Sequence, residues 1–355
     1  MSKLLVLFLI VATLFSCKRT EKPCCAIDVP FEEPLLIDYA SNFELIKTNV
    51  GYSLEILNPE NGEIEKTYSL KSNTEYKIIS LSATLNGMIS ILNEQNKLIG
   101  IGKEHFIYDT LILDNLQKEY TQPFGDETNI SLEKIIASNA NIVFYNGFGD
   151  KFPNEDKLAK LGIAVIPIYD WRENHPLGKA EWIKLVGIIT GKEEEAKAYF
   201  SSVVEEYDRI LAITDTISHQ PTTLAGSMFG DIWFAPGGDS YFATLLKDAG
   251  ANYIYSDTKG TASQEFSMER ILKDNIATDF WINPTLPTKS KLLDVNPKAK
   301  YLNAFNNNSY CYSAKMSKFW EQSAAMPHLV LRDLVQIFHP EIEFDEELYF
   351  YQKVD

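Results

Sequence analysis

Side chains suited to holding a bulky ligand recur just beyond the apolar runs of this sequence. Ser82 and Thr84 follow the run Tyr76 to Ser80, and His105 and Phe106 follow Leu98 to Ile101. Asn146 and Phe148 follow Ile142 to Tyr145, and Trp171 and Arg172 follow Ala164 to Ile168. Met228, Phe229, Trp233, Phe234, Asn306, Tyr310 and Tyr312 hold comparable places further along. The set is rich in aromatic rings and poor in acids, and aromatic walls with a few polar groups suit a large, flat, partly apolar ligand. Arg172 has the chemistry to clamp a carboxylate or hydroxamate oxygen, or else pairs with Glu173 at the surface. Trp233 and Phe234 read either as cleft walls or as the core of a strand. Gly237-Gly238-Asp239-Ser240 reads either as an anion cradle or as a tight strand-to-helix turn capped by Asp239 or Ser240.

Other chemistries find less support. There is no Gly-x-Ser-x-Gly elbow, no His-Glu-x-x-His, no phosphate-binding glycine loop with lysine and no close carboxylate pair in a cleft-side turn. An exported α/β enzyme is therefore the alternative of a different class, and binding without catalysis or a resident cofactor is expected. A carrier of bare Zn²⁺ or Mn²⁺ needs several converging His and carboxylate ligands, and of the five histidines only His105 and His175 fall near the expected cleft. A chelated metal fits better. Haem needs an axial His or Tyr, for which His105, Tyr310 and Tyr312 are candidates. A net charge of −16 with no basic run after Arg19 argues against nucleic acid as a partner.

Residues 1–17 read as a secretory signal closing on a lipobox: Lys3, an apolar run Leu4 to Phe15, then Ser16-Cys17. The run is too short to span a bilayer, which takes roughly 20 residues. Cys17 is the expected lipidation site, residues 18–40 a tether, and the expected address the periplasmic face of the inner membrane. Cys24 or Cys25 bridged to Cys311 and three unpaired thiols are both compatible with the spacing.

Removing the signal leaves 338 residues, more than one hydrophobic core usually organises. Phe43 to Leu70 has the broken alternation of antiparallel hairpins. Beyond it, strands alternate with helices such as Leu132 to Ala137 and Glu155 to Leu161, the mark of parallel βα units. A second series, Thr223 to Ser227, Ile232 to Ala235, Asp279 to Asn283 and Tyr301 to Ala304, alternates with helices Tyr241 to Ala249 and Met268 to Lys273. Between the series Lys192 to Ile213 carries one apolar face, with a capping box expected at Thr190 and Glu193. The expected class is α/β: lobes at 41–190 and 215–340 joined by one long helix at 191–214, a small antiparallel entry section, and an acidic tail at 341–355 expected along an edge. Pro327 opens the last helix and His339-Pro340 closes it.

Ile130-Ser131-Leu132-Glu133-Lys134-Ile135-Ile136 and Phe266-Ser267-Met268-Glu269-Arg270-Ile271-Leu272 match in residue type position by position. In each, a serine is placed to cap a helix whose first turn holds a glutamate. With this duplication, the Leu81-Ser82-Ala83-Thr84 turn, Trp233 to Ser240 and the single long helix, the chain resembles the class III periplasmic binding proteins of ABC importers, from roughly Lys77 to Pro340. The segment Tyr169 to Gly178 resembles the Bacteroidetes version of that family. The resemblance implies a ferric siderophore, or next cobalamin, carried between the lobes. It also implies a permease dimer as partner, met by Glu133 and Glu269.

Overall fold

The computed structural model describes residues 33–149, 151–275, 277–312 and 318–355. The expectations for the signal, for most of the tether, and for Cys17, Cys24 and Cys25 lie outside them. Cys311 is buried in a strand.

The alternating section folds as expected into a four-stranded antiparallel sheet, Glu33–Pro34, Phe43–Thr48, Gly51–Leu57 and Ile64–Lys71. Leu45, Leu54 and Ile56 turn one of its faces into the core.

Five strands then form an all-parallel sheet in the order Gln122–Pro123, Leu98–Ile101, Ile78–Ser80, Ile142–Asn146, Ala164–Ile168. Its central strands are continuous apolar runs because helices cover both faces. The chain starts in the middle and winds outward both ways, so the winding direction reverses between Ile78–Ser80 and Ile142–Asn146. Such a switch point leaves a crevice beyond the carboxyl ends of the two strands.

A second five-stranded sheet has the order Asn252–Tyr253, Thr222–Ala225, Phe280–Ile282, Ser309–Tyr312, Tyr351–Lys353, parallel except for the last strand. Its switch point falls between Thr222–Ala225 and Phe280–Ile282. The acidic tail thus reaches a sheet edge as expected, and Asp333 holds it there by accepting from the backbone N–H of Tyr349, Phe350 and Tyr351.

Two strand assignments need correction. Ile232–Ala235 is not in the parallel sheet; it pairs antiparallel with Ser227–Phe229 and Gln264–Ser267 in a three-stranded sheet. Tyr301 to Ala304 is not a strand, because Asn296 caps a 3₁₀ turn over Pro297–Tyr301 that runs into helix Asn303–Asn307. The strand there is Ser309–Tyr312, with Ser309 and Cys311 buried on one face.

The long helix Glu193–Thr214 buries Ala196, Phe200, Val203, Tyr207 and Ile210, the face that the periodicity predicts. Tyr52 donates to Glu193 near its start and Tyr207 donates to Asp248 near its end, so the helix bridges the antiparallel sheet to a helix of the second sheet. The expected capping box is absent. Thr190 ends the preceding helix Ile183–Thr190, donating to the Val186 carbonyl at 2.8 Å, and Gly191 turns the corner at φ 74°. The two helices meet at Gly187, where a Cβ would lie 2.5 Å from that of Ala196.

Asp38, Tyr39 and Ala40, placed in the tether by sequence, are strapped down. Their backbone N–H groups donate to the buried Glu181 at 2.8–2.9 Å. Ser41 and Asn42 donate in the same way to the buried Glu173.

Candidate functional site

The two switch points face one cleft. Leu81, Thr84, Asn146 and Phe148, which follow the reversing strands of the first sheet, line a cavity of about 610 Å³. Gly226 and Asn283, which follow those of the second, line an adjoining cavity of about 280 Å³. Trp171, Lys179, Tyr241, Phe319, Trp320 and Ser323 line both, making the two volumes one cleft.

Several predicted residues are brought together here. Phe106, Phe148 and Trp171 form an aromatic wall, with the last two ring centroids 4.9 Å apart. Tyr312 lines the smaller cavity, its ring stacked on Phe319 at 4.2 Å. Thr84 reaches the larger cavity, whereas Ser82 is fully buried behind it with its hydroxyl 3.0 Å from that of Thr84.

Others lie elsewhere. Trp233 is completely buried, donates its indole N–H to the Ala225 carbonyl at 3.0 Å and packs on Trp281, so it is core. Phe234 lies on the three-stranded sheet opposite Ser227 and Glu265 and lines neither cavity. Tyr310 lines a separate depression beside Gln336 and Ile337, and His105 a shallow one with Lys103 and Glu104. Arg172 is tied down rather than poised as a clamp: its Nε donates to Thr261 at 3.0 Å and its guanidinium pairs with Glu60, not Glu173. The Gly237 to Ser240 run is the tight turn, with the Ser240 hydroxyl accepting from Ala243 N–H as a helix cap.

Sequence reasoning missed Lys179, Tyr241, Phe319 and Trp320. Lys179 carried a faint signal, a lysine among the buried Pro176, Leu177, Gly178 and Ala180 of helix Pro176–Glu181. Phe319 and Trp320 carried none, since they belong to the short helix Phe319–Gln322 and follow no strand apparent from sequence. Among the described residues no cluster of three or more His, Cys, Asp or Glu is placed to hold a metal ion.

The polar groups of the cleft are mostly paired. Lys103 lies 2.9 Å from Asp126, whose pKa is held down to about 2 by the Thr128 hydroxyl and Lys103. Glu127 accepts from the backbone and side chain of Asn146, while burial pushes its pKa up.

Glu321 bolts the two walls together. It is 1% exposed and accepts from the backbone N–H of Tyr108 at 3.0 Å and Asp109 at 3.3 Å, just behind Phe106. Burial pushes its pKa up to about 7; the two N–H donors and Lys318 act against the rise and Asp109 with it. A carboxyl raised in the folded state contributes its stability fully below the ordinary value of 4.5 and loses it as pH climbs through about 7. Glu321→Gln cannot ionise. Urea melts should therefore show the stability of wild type relative to Glu321→Gln falling by up to about 3 kcal/mol between pH 4.5 and 7.5. A difference constant across that window would show a carboxyl ionised throughout.

Glu133 and Glu269 occupy matching settings. Both are exposed in the first turn of their helices, Leu132–Ser138 and Met268–Asn275, and both helices are capped by the preceding serine, Ser131 to Lys134 N–H and Ser267 to Arg270 N–H. The Glu133 backbone N–H and the Ser131 hydroxyl hold the Glu133 pKa down. Glu269 is 84% exposed, with Lys298 3.9 Å away.

Known proteins are similar to this chain in sequence or in fold. An uncharacterised lipoprotein of Methanocaldococcus jannaschii is 27% identical over 290 residues, covering 78% of this chain and 68% of its own. A periplasmic haem-binding protein of Pseudomonas aeruginosa superposes with a TM-score of 0.60 at 16% identity, over 78% of this chain and 96% of its own. The protein of an ABC-type Fe³⁺-hydroxamate transport system from Saccharomonospora viridis does so with a TM-score of 0.59 at 17% identity, over 80% and 98%. The periplasmic binding protein family matches residues 91–309, from the end of the helix beneath the first switch point into the strand Ser309–Tyr312 of the second sheet. A match running through both halves of the cleft makes the chain a member of the periplasmic binding protein family.

Proposed function

We propose that the protein is the substrate-binding component of an ABC importer. It takes up a metal chelate, a ferric siderophore first and cobalamin second, in the cleft between its lobes and passes it to a permease dimer of the inner membrane. In this reading Cys17 carries the lipid that keeps the protein at the periplasmic face, and Glu133 and Glu269 meet the permease. The observation behind it is the aromatic cleft of about 610 Å³ beyond two facing switch points, a volume in the range of small-molecule sites. Relatives support the ligand class, one being part of an Fe³⁺-hydroxamate transport system. The haem-binding neighbour favours haem less, because His105 and Tyr310 lie outside the cleft and the Tyr312 ring is stacked on Phe319.

Tryptophan fluorescence tests the reading. Trp171 and Trp320 line the cleft, whereas Trp182, Trp233 and Trp281 are fully buried. Titration with ferric chelates and cobalamin should quench the first two at submicromolar ligand. Trp171→Phe and Trp320→Phe should remove the signal between them, and Trp233→Phe should leave it. Tight stoichiometric binding of free Zn²⁺, with no quenching by any chelate, would sink the proposal.

A further inference from the structure

Among the described residues three cations lie in or beside the cleft, and two are already occupied: Arg172 by Thr261 and Glu60, Lys103 by Asp126. The third, Lys179, is different. Its side chain is 14% exposed, and it lines both cavities from helix Pro176–Glu181. The ammonium lies 4.4 Å from the centre of the Tyr241 ring, and its nearest carboxylate oxygen, Asp170 Oδ2, is 3.5 Å away. That oxygen makes no hydrogen bond, so the pair is loose. An ammonium carries three donors, and here its neighbours are the Tyr241 side chain and the loosely placed Asp170 carboxylate, neither of which is a short partner.

Two further polar atoms of the same cleft are buried and unpartnered. One is Nε1 of Trp171, a donor, and the other is Oδ1 of Asn86, a residue 1% exposed that lines the larger cavity. Buried polar groups are nearly always hydrogen-bonded, so orphans gathered round one cavity mark the places where a ligand supplies the partners.

We propose that Lys179 selects the ligand by charge, taking an anionic oxygen of the chelate against the Tyr241 face while Trp171 Nε1 donates to a neighbouring ligand oxygen. The inference rests on the importer reading and narrows it. The chelate is one whose rim carries negative oxygens, as a ferric catecholate or carboxylate does, rather than a neutral or cationic one. A partly desolvated ammonium attracts such an oxygen more strongly than water would allow, and its three rotatable donors tolerate chelates of differing shape. The aromatic wall serves the flat rings of the same ligand.

The test compares two iron(III) chelates, a triply negative tricatecholate and the singly positive desferrioxamine B complex, titrated by tryptophan quenching into wild type, Lys179→Gln and Lys179→Arg. Wild type should prefer the tricatecholate. Lys179→Gln should lose 10- to 100-fold for the tricatecholate and less than about threefold for the desferrioxamine complex, with Lys179→Arg keeping most of the affinity. Equal losses for both chelates in Lys179→Gln would make Lys179 a packing residue and overturn the charge role, as would no loss for either. Binding of neither chelate by wild type would overturn the charge selection, and the importer reading would fall with it only if cobalamin also left the tryptophans unquenched.

Discussion

Replacing Glu173 with alanine should cost the fold about 3 to 5 kcal/mol, at the upper end for point substitutions because it breaks a buried hydrogen-bond network. Glu173 is fully buried and is the acceptor for Ser41 N–H, the Ser41 hydroxyl, Asn42 N–H and the Trp182 indole N–H, at 2.8–3.3 Å. Alanine leaves all of these donors without their acceptor, and each unmet buried donor costs about 1 to 3 kcal/mol before water or relaxation intervenes. The backbone carbonyl of Glu173, which accepts from Tyr241 N–H at 3.2 Å across to the second sheet's helix, is retained in the alanine variant, so the loss is confined to the side-chain acceptor. Burial already pushes the Glu173 pKa up, so Glu173→Gln, which keeps one acceptor oxygen and carries no charge, should recover about half the loss. Urea denaturation at neutral pH measures both. A loss below about 1 kcal/mol in Glu173→Ala would mean that the strap contributes nothing to the fold.

Uptake through the cognate permease should fall at least about tenfold in the double variant Glu133→Arg/Glu269→Arg, with ligand affinity and melting temperature nearly unchanged. Rim charges act mainly on encounter and register, where reversal places like charges opposite one another. The structure separates this from a role in the helices. Ser131 and Ser267 already cap them, so a glutamate serving only the helix dipole is worth under about 1 kcal/mol. Neither glutamate lines the cleft. The paired measurement is chelate affinity in solution and uptake in cells. Normal uptake in the double variant would remove the docking role, and a parallel fall in chelate affinity would place the effect in the cleft instead.

Four of the five strands of the first sheet were legible because a strand buried on both faces must be apolar throughout, and Leu98–Ile101 and Ala164–Ile168 fall where their runs do, whereas the exposed edge strand Gln122–Pro123 gave no such run. The strand Ser309–Tyr312 was not, since its Ser-Tyr-Cys-Tyr pattern has no apolar run and the turn-rich stretch before it obscured it. Trp171 and Arg172 illustrate the limit within the site. Both follow the strand Ala164–Ile168, and both come to the cleft side. Whether an arginine there is free depends on Thr261 and Glu60, 89 and 112 residues away in the chain. Trp233 looked like a cleft wall because its strand was assigned to the parallel sheet. In the three-stranded sheet its ring turns inward onto Trp281.

By itself the sequence determined what neighbours within a few residues can enforce: the period of each element, the serine caps of the twin glutamate helices, the single long helix, and hence the α/β class and the family. Backbone hydrogen bonding and side-chain periodicity act over one or two turns, so a local pattern suffices to set them. Only the tertiary structure decided which groups meet. Strand order placed two switch points face to face, packing carried Phe319 and Trp320 to the cleft from far along the chain, and long-range pairing satisfied Arg172 while leaving Lys179 only a loose carboxylate partner. Burial and charge pairing depend on distance in space, and no spacing along the chain encodes that.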